Sequence, residues 1–250
     1  MPPRGCVRIL CVDLLSASER LRSSLRLEHE PVAISFLSAP PAGVKRFEGR
    51  VPSGCSFWRL AETEPCYTEP QDHFECPIGT LAMGFEIPPE RQAAATKFFN
   101  DLCEVEYVSP EEMAQMPRVA PGHRAVVYEP LRGARRQPDA VISTGRALQA
   151  MLLFEAVRRL GMPGSGIGSG RPTCAAIPQA MAGDTISVSF GCVGARTYVG
   201  LQPDEMVFAL PGKRLQEIVS VLETVSAVNQ ELGEFHARQR AAFGGSAAAR

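Results

Sequence analysis

The sequence lacks a long apolar run, an excess of charge of either sign, and an export signal. No stretch approaches the roughly 18 uninterrupted apolar residues of a spanning helix, so we expect no membrane partner. The formal net charge is -1, so the composition shows no excess of positive charge that would indicate binding to nucleic acid. The first residues carry Arg4, Arg8 and Asp13 and no small-residue cleavage site. We therefore expect a soluble protein in the cytoplasm.

Several catalytic signatures are also missing. The chain contains no G-x-S-x-G elbow, H-E-x-x-H helix, kinase motif set or Walker sequence. The glycine-rich stretch GMPGSGIGSGRP, residues 161 to 172, does not match G-x-G-x-x-G and follows a helical pattern instead of a strand. This stretch is predicted to be a loop, with a nucleotide-binding loop as the weaker alternative.

The hydrophobic pattern predicts a mixed α/β fold. Ser16 and Glu19 suggest a capping box for a helix to about His29, and extended runs occur at PVAISF, RAVVYEPL, DAVIS, ISVSF and MVFAL. Further helices are expected at about 89 to 103, from Leu148 to Leu160, and at about 213 to 240. Turn residues near the middle predict a boundary between two halves, 1–115 and 116–243. We expect the halves to form one compact unit and residues 244–250 to form a disordered tail.

The two halves show the same order of parts. Each contains an extended run, a cysteine after a loop, and a second cysteine about 20 residues later; CPIGTLAMGF and CVGARTYVGL each place glycine eight residues after cysteine. This order favours an internal repeat with a pseudo-twofold axis that brings two cysteine pairs to one central site. Chance similarity of short motifs is the alternative.

Eight cysteines are the other distinctive feature, and they contain no close C-x2-C pair typical of structural zinc sites. Without an export signal, free core thiols, metal binding and catalysis are the relevant interpretations. Cys6, Cys11 and Cys103 lie in apolar or helical runs and are interpreted as core residues, while Cys66 is undecided. Four others each lie at a turn beside glycine or proline, where backbone N–H groups can stabilise sulfur: Cys55, Cys76, Cys174 and Cys192.

Two further side chains are candidates for catalytic roles. His73 lies three residues before Cys76 and could ligate a metal or transfer protons, or simply be a capping or surface histidine. Arg196 lies four residues after Cys192 and could hold an anionic substrate, or form a salt bridge with Asp204 or Glu205. Phe57 and Trp58 are interpreted as core residues.

Four stretches together resemble the family known as domain of unknown function 169. They are LRLEHEPVAISF, GCSFWRLAETEPCYTEPQDHFECPIGTLAMGF, PDAVISTGRALQAMLLFEAVRRLG and the run from RPTCAAIPQA to MVFALPG. The similarity covers residues 20 to 225 and implies a soluble prokaryotic protein without implying an activity. It places the four turn cysteines, His73 and Arg196 at family-like positions.

Three functions remain open. The leading hypothesis is that the four cysteines bind an iron–sulfur cluster or another thiolate-bound metal in a redox or sulfur-handling enzyme that acts on a small molecule. The second is a small-molecule binding module with cysteines as core packing. The third is a thiol–disulfide redox protein. A homo-oligomer is compatible with all three.

Overall fold

The computed structural model describes residues 4–163, 167–168 and 172–243, with the side chains of residues 4–13 and 167–168 left aside. The predicted tail at 244–250 and most of the glycine-rich stretch therefore lie outside the described residues. The helices of the described part are α1 (Arg4–Leu25), α2 (Cys55–Leu60), α3 (Pro77–Ala82), α4 (Pro89–Glu104), α5 (Pro110–Ala114), α6 (Ala147–Arg159), α7 (Ala176–Gly183), α8 (Val193–Val199) and α9 (Leu215–Ala242).

The strands form one sheet, which confirms the mixed α/β fold. They are β1 (Val32–Leu37), β2 (Cys66–Thr68), β3 (Ala125–Pro130), β4 (Ala140–Gly145), β5 (Ile167–Gly168), β6 (Ser187–Ser189) and β7 (Met206–Pro211). The order across the sheet is β2-β3-β1-β4-β7-β6-β5. All neighbouring strands are antiparallel except β5, which pairs in parallel with β6.

The central pairing joins the two parts of the chain. Strand β1 pairs with β4 in the register Val32 to Ile142 and Ala33 to Val141. Outward from this pair, the order is β3 then β2 on one side and β7 then β6 on the other. The internal repeat stays a prediction, because strand order alone does not establish that the halves superpose. The boundary near residue 115 also stays a prediction, since both sides of it contribute strands to this sheet.

Side chains alternate between the two faces of the sheet, as the two-residue period of a strand requires. Ala33, Val141 and Phe208 point to a hydrophobic cluster built with α1, α6 and α9. Ile34, Ile142 and Val207 point to a second cluster on the opposite face. The second cluster includes Cys55, Cys174, Phe57 and Trp58, which confirms that the two aromatic residues belong to the core.

The start of the first helix was predicted wrongly. The helix α1 begins at Arg4, so Ser16 lies inside it and does not cap its N-terminus. Buried Leu14, Ala17 and Leu21 continue one apolar face through this point, and burying that face outweighs the local Ser-x-x-Glu signal.

No helix within the described ranges is both long and apolar enough to cross a membrane.

Candidate functional site

The four turn cysteines line one cavity on the sheet face opposite α1, α6 and α9. The cavity has a volume of about 630 Å³, and Cys55, Cys76, Cys174 and Cys192 all contribute to its wall. Each lies at the start of a helical segment: Cys55 begins α2, Cys76 precedes α3, Cys174 lies in the 3-10 helix Thr173–Ala175, and Cys192 precedes α8. The sequence placed these four cysteines at turns. In the structure these turns are the starts of helical segments that border the same cavity.

Glycine allows the first two segments to approach closely. A Cβ atom on Gly54 would lie 3.7 Å from the Cα of Gly79, and a Cβ on Gly79 would lie 3.0 Å from the sulfur of Cys76. The Cys76 sulfur accepts the backbone N–H of Gly79 at 3.3 Å and also the N–H of Gly54. These contacts hold the starts of α2 and α3 side by side.

A hydroxyl joins the other two segments. The backbone N–H of Cys192 donates to Oγ1 of the buried Thr173 at 2.7 Å. The Cys192 sulfur accepts the N–H of Ala195 at 3.4 Å. Because α2 contacts α8 and α3 contacts the 3-10 helix at Thr173–Ala175, the two pairs of cysteine segments are packed against each other.

The matching cysteine and glycine positions have matching local structures. Cys76 and Cys192 each precede a short helix and accept an N–H from the residue three positions on. Gly84 and Gly200, each eight residues after its cysteine, end these helices with φ of +76° and +68°. Glycine suits a left-handed helix end because it has no Cβ atom to clash there.

Burial raises the pKa of three of these thiols, those of Cys55, Cys76 and Cys174. It raises the pKa of Cys55 to about 12, with smaller contributions from the nearby Cys192 and Cys76. Burial likewise raises the pKa of Cys174, and the other three cysteines reinforce that shift. For Cys76, burial raises the pKa while the N–H groups of Gly54 and Gly79 oppose the increase. The mutual influence reflects how close the sulfurs lie to one another.

The described side chains contain no ready-made site for a metal ion. Among the described side chains, no group of three or more His, Cys, Asp or Glu residues is arranged to hold one ion. The six cysteines whose side chains are described, Cys55, Cys66, Cys76, Cys103, Cys174 and Cys192, are free thiols. Among the described side chains, the cysteines are therefore neither paired in disulfides nor arranged as a preformed single-ion site.

His73 points into the core and does not line the cavity. Its Nε2 lies 2.8 Å from Oγ1 of Thr68, and its ring packs between those of Phe57 and Phe85. Complete burial lowers its pKa to about 3, with a further contribution from His123. The 3-10 helix Pro70–His73 turns this side chain away from Cys76, so the geometry supports a structural role.

Arg196 is also directed away from the cavity. Its guanidinium donates to the backbone carbonyls of Phe190, Gln202 and Glu205, and so connects the segments that precede and follow α8. The expected alternative, a salt bridge to Asp204 or Glu205, is absent from the ion pairs of the described residues. Substrate binding by Arg196 finds no support in this arrangement.

The cavity has an outer wall that the sequence did not identify. Helix α4 presents Ala94, Phe98 and Leu102 to the cavity, and the facing side includes Val193 and Tyr198 of α8. Phe98, Val193 and Tyr198 are substantially exposed, at 38%, 64% and 53%. The amphipathic pattern of α4 was visible in the sequence, but it did not show that the apolar face would border an open space.

Charged groups occur at one edge of this wall. Glu75 lies between two arginines, with Arg50 at 2.8 Å and Arg91 at 3.0 Å. Both Glu75 and Arg91 line the cavity. The arginines lower the pKa of the Glu75 carboxyl, so it is ionised near neutral pH. The described lining of the cavity is thus mainly apolar and carries its charged side chains at this edge.

Comparison with known proteins identifies the family of this chain. The model of domain of unknown function 169, described as uncharacterised ArCR, matches residues 20–221. The chain belongs to this family. A relative from Methanocaldococcus jannaschii, named Uncharacterized protein MJ0308, is 30% identical over 183 residues, which cover 68% of this chain and 75% of the relative. No solved structure gives a significant match. The part shared with domain of unknown function 169 includes all four cavity cysteines.

Proposed function

We propose that the four cavity thiols bind a polynuclear thiolate-ligated metal centre, an iron–sulfur cluster in particular, and that the cavity admits a small molecule to it. The observation that supports this function is the convergence of Cys55, Cys76, Cys174 and Cys192 on one cavity from four separate helical segments. A cytoplasmic location, also proposed, would keep these thiols reduced.

A cluster and a single ion require different arrangements of their thiolate ligands. A single zinc ion requires its thiolates at about 2.3 Å from one point. An iron–sulfur cluster instead distributes four cysteine ligands around a body several ångströms across. Four cysteines that line one cavity supply the number of ligands that a cluster requires.

A bound cation would offset the cost of ionising these buried thiols. The raised pKa values of Cys55 and Cys174 disfavour isolated buried thiolates. Metal binding releases the thiol protons and supplies positive charge that offsets the cost of burying the sulfur anions. The N–H groups of Gly79 and Ala195 already point at Cys76 and Cys192 and would donate to the ligand sulfurs. A thiol–disulfide reaction would also need a thiolate, but it would supply no cation to offset the cost of burying that charge.

The test is anaerobic purification followed by reconstitution with iron and sulfide. We expect stoichiometric iron and inorganic sulfide and a coloured protein with broad absorbance in the visible range. Cys76→Ser and Cys192→Ser should each reduce the iron content strongly, while Cys103→Ser, whose residue lies in α4 and not in the cavity wall, should not. A folded protein that remains colourless and metal-free after reconstitution would exclude this function.

A second candidate, small-molecule binding without a metal, is supported by the apolar outer wall. A cavity of about 630 Å³ falls within the range of roughly 300 to 1,000 Å³ that is typical of ligand sites. Fluorescence titration with anilinonaphthalene sulfonate tests it on the metal-free protein. In this case binding should weaken in Phe98→Ser and persist in the Cys76→Ser/Cys192→Ser variant, because the wall of α4 and not the thiols would hold the probe.

A further inference from the structure

The C-terminal half of α9 extends beyond the body of the molecule. The first half packs against α1 and α6 through buried residues that end at Val225. The hydrogen bonds from α9 side chains to α1 also end here, one residue after Val225, where the hydroxyl of Ser226 donates to the backbone carbonyl of Ser24. From Val228 to Ala242 the helix continues for 15 residues, or about 21 Å at 1.5 Å per residue. These four turns are exposed.

The exposed turns carry an apolar stripe. Val228, Leu232 and Phe235 are 38%, 51% and 45% exposed. With Gln239 and Ala242 they continue the alternating spacing of four and three residues that begins at the partly buried Val221 and the buried Val225. Such spacing is typical of the a and d positions of a heptad repeat, which faces a partner helix in a coiled coil.

Charges beside the stripe select the orientation of that partner. Glu231 and Arg238 lie seven residues apart, each directly before an a-type position, so both occupy the same edge of the stripe. Neither forms an ion pair within the described part of the chain. In an antiparallel pair of identical helices, this edge of one helix faces the same edge of the other. Glu231 of each helix then lies beside Arg238 of the other helix, which gives two equivalent ion pairs.

A parallel pair would not use these charges. There, the edge that carries Glu231 faces the opposite edge of the partner, where His236 and Phe243 lie. An antiparallel pair also places Leu232 against Phe235 in two symmetric central layers. The apolar residues and the charges thus agree on one arrangement.

We propose that the exposed turns of α9, residues 228–242, pair with the same turns of a second copy of this chain as an antiparallel homodimer. One helix pair of this length is smaller than the roughly 1,200 Å² interfaces of stable complexes, so we expect dissociation in the micromolar range. The proposal does not depend on metal binding, because the segment lies apart from the cavity.

The experiment is sedimentation equilibrium of the full chain between about 1 and 200 µM at low ionic strength. Glu231→Arg and Arg238→Glu each convert both symmetric pairs to like charges and should each weaken dimerisation about 10-fold or more. The double variant Glu231→Arg/Arg238→Glu restores opposite charges and should recover most of the affinity. Glu234→Arg makes the same charge change on a different side of the helix and serves as the control.

Circular dichroism verifies that each variant keeps its helix content. A wild-type chain that stays monomeric over the whole concentration range overturns the proposal. So does a dimer whose affinity is the same in Glu231→Arg as in Glu234→Arg, or a double variant no tighter than the single ones. Iron content after reconstitution should be the same in all of these variants, which separates this test from that of the cavity.

Discussion

The hydroxyl of Thr173 accepts the backbone N–H of Cys192 at 2.7 Å, and this bond connects residues on two different segments of the cavity wall. Thr173 is fully buried, so no solvent molecule is available to replace the acceptor. The bond therefore holds Cys192 beside the segment that carries Cys174.

Replacing Thr173 by valine preserves the shape of the side chain but removes the acceptor. The N–H of Cys192 would remain unpaired, which typically costs about 1 to 3 kcal/mol. We expect the free energy of unfolding, measured with urea, to fall by about that amount. Thr197→Val, at an exposed position of the cavity wall, is the control and should change it by less than about 0.5 kcal/mol. Equal stability of the two variants would contradict the role assigned to Thr173.

Gly84, which follows α3, and Gly200, which ends α8, allow a matched comparison of two substitutions. Both have positive φ, so alanine at either position costs about 1 to 2 kcal/mol of backbone strain. A Cβ on Gly84 would also lie 2.3 Å from the carbonyl oxygen of Val119, whereas a Cβ on Gly200 meets nothing within 4 Å. Gly84→Ala should therefore destabilise the fold more than Gly200→Ala, by at least about 1 kcal/mol. Urea unfolding of both variants measures the difference, and the reverse order would refute the close contact.

His73 should make stability depend on pH. Its pKa is about 3 in the folded protein against 6.5 as the ordinary value, because burial disfavours the charged ring. The unfolded chain binds the proton more readily, so this stabilisation is fully present above pH 6.5 and is lost as pH falls toward 3. Between pH 6.5 and 5 the loss should be about 2 kcal/mol.

The test of this prediction is the difference between two variants. His73→Gln should remove this part of the pH dependence of urea unfolding, although it lowers stability at pH 7. His236→Gln, on the exposed part of α9, should keep the wild-type dependence. If His73→Gln retains the full dependence, the histidine is not the group that titrates.

The raised thiol pKa values predict slow alkylation. At pH 8 a thiol with a pKa of about 12 is almost entirely protonated, and only the thiolate reacts readily with iodoacetamide. In the metal-free protein we expect Cys55 to be labelled more than about 100-fold more slowly than the partly exposed Cys103. Peptide mass spectrometry over time measures both sites, and denaturant should abolish the difference. Comparable rates in the folded protein would mean that Cys55 is accessible and ionised.

Local pattern was sufficient for most elements but not for the direction of individual side chains. The runs that became β1, β3, β4 and β7, and the stripes of α4, α6 and α9, were visible because burial on a sheet or helix face imposes a fixed period. The start of α1 was wrong because a capping signal at Ser16 was overridden by the packing of a longer apolar face. His73 and Arg196 were selected by nearness to cysteine in the sequence, but their side chains are held by other partners, Thr68 for His73 and backbone carbonyls for Arg196.

The sequence by itself determined most of the longer helices and strands of this protein, its family, and the four cysteines that lie at turns, because these depend on local spacing. Only the tertiary structure decided that the four thiols share one cavity while His73 and Arg196 face elsewhere. Cys55 and Cys192 are 137 positions apart, and their approach depends on α2 packing against α8 on one face of the sheet. Such long-range contacts arise from the burial of many residues at once, and no local pattern contains them.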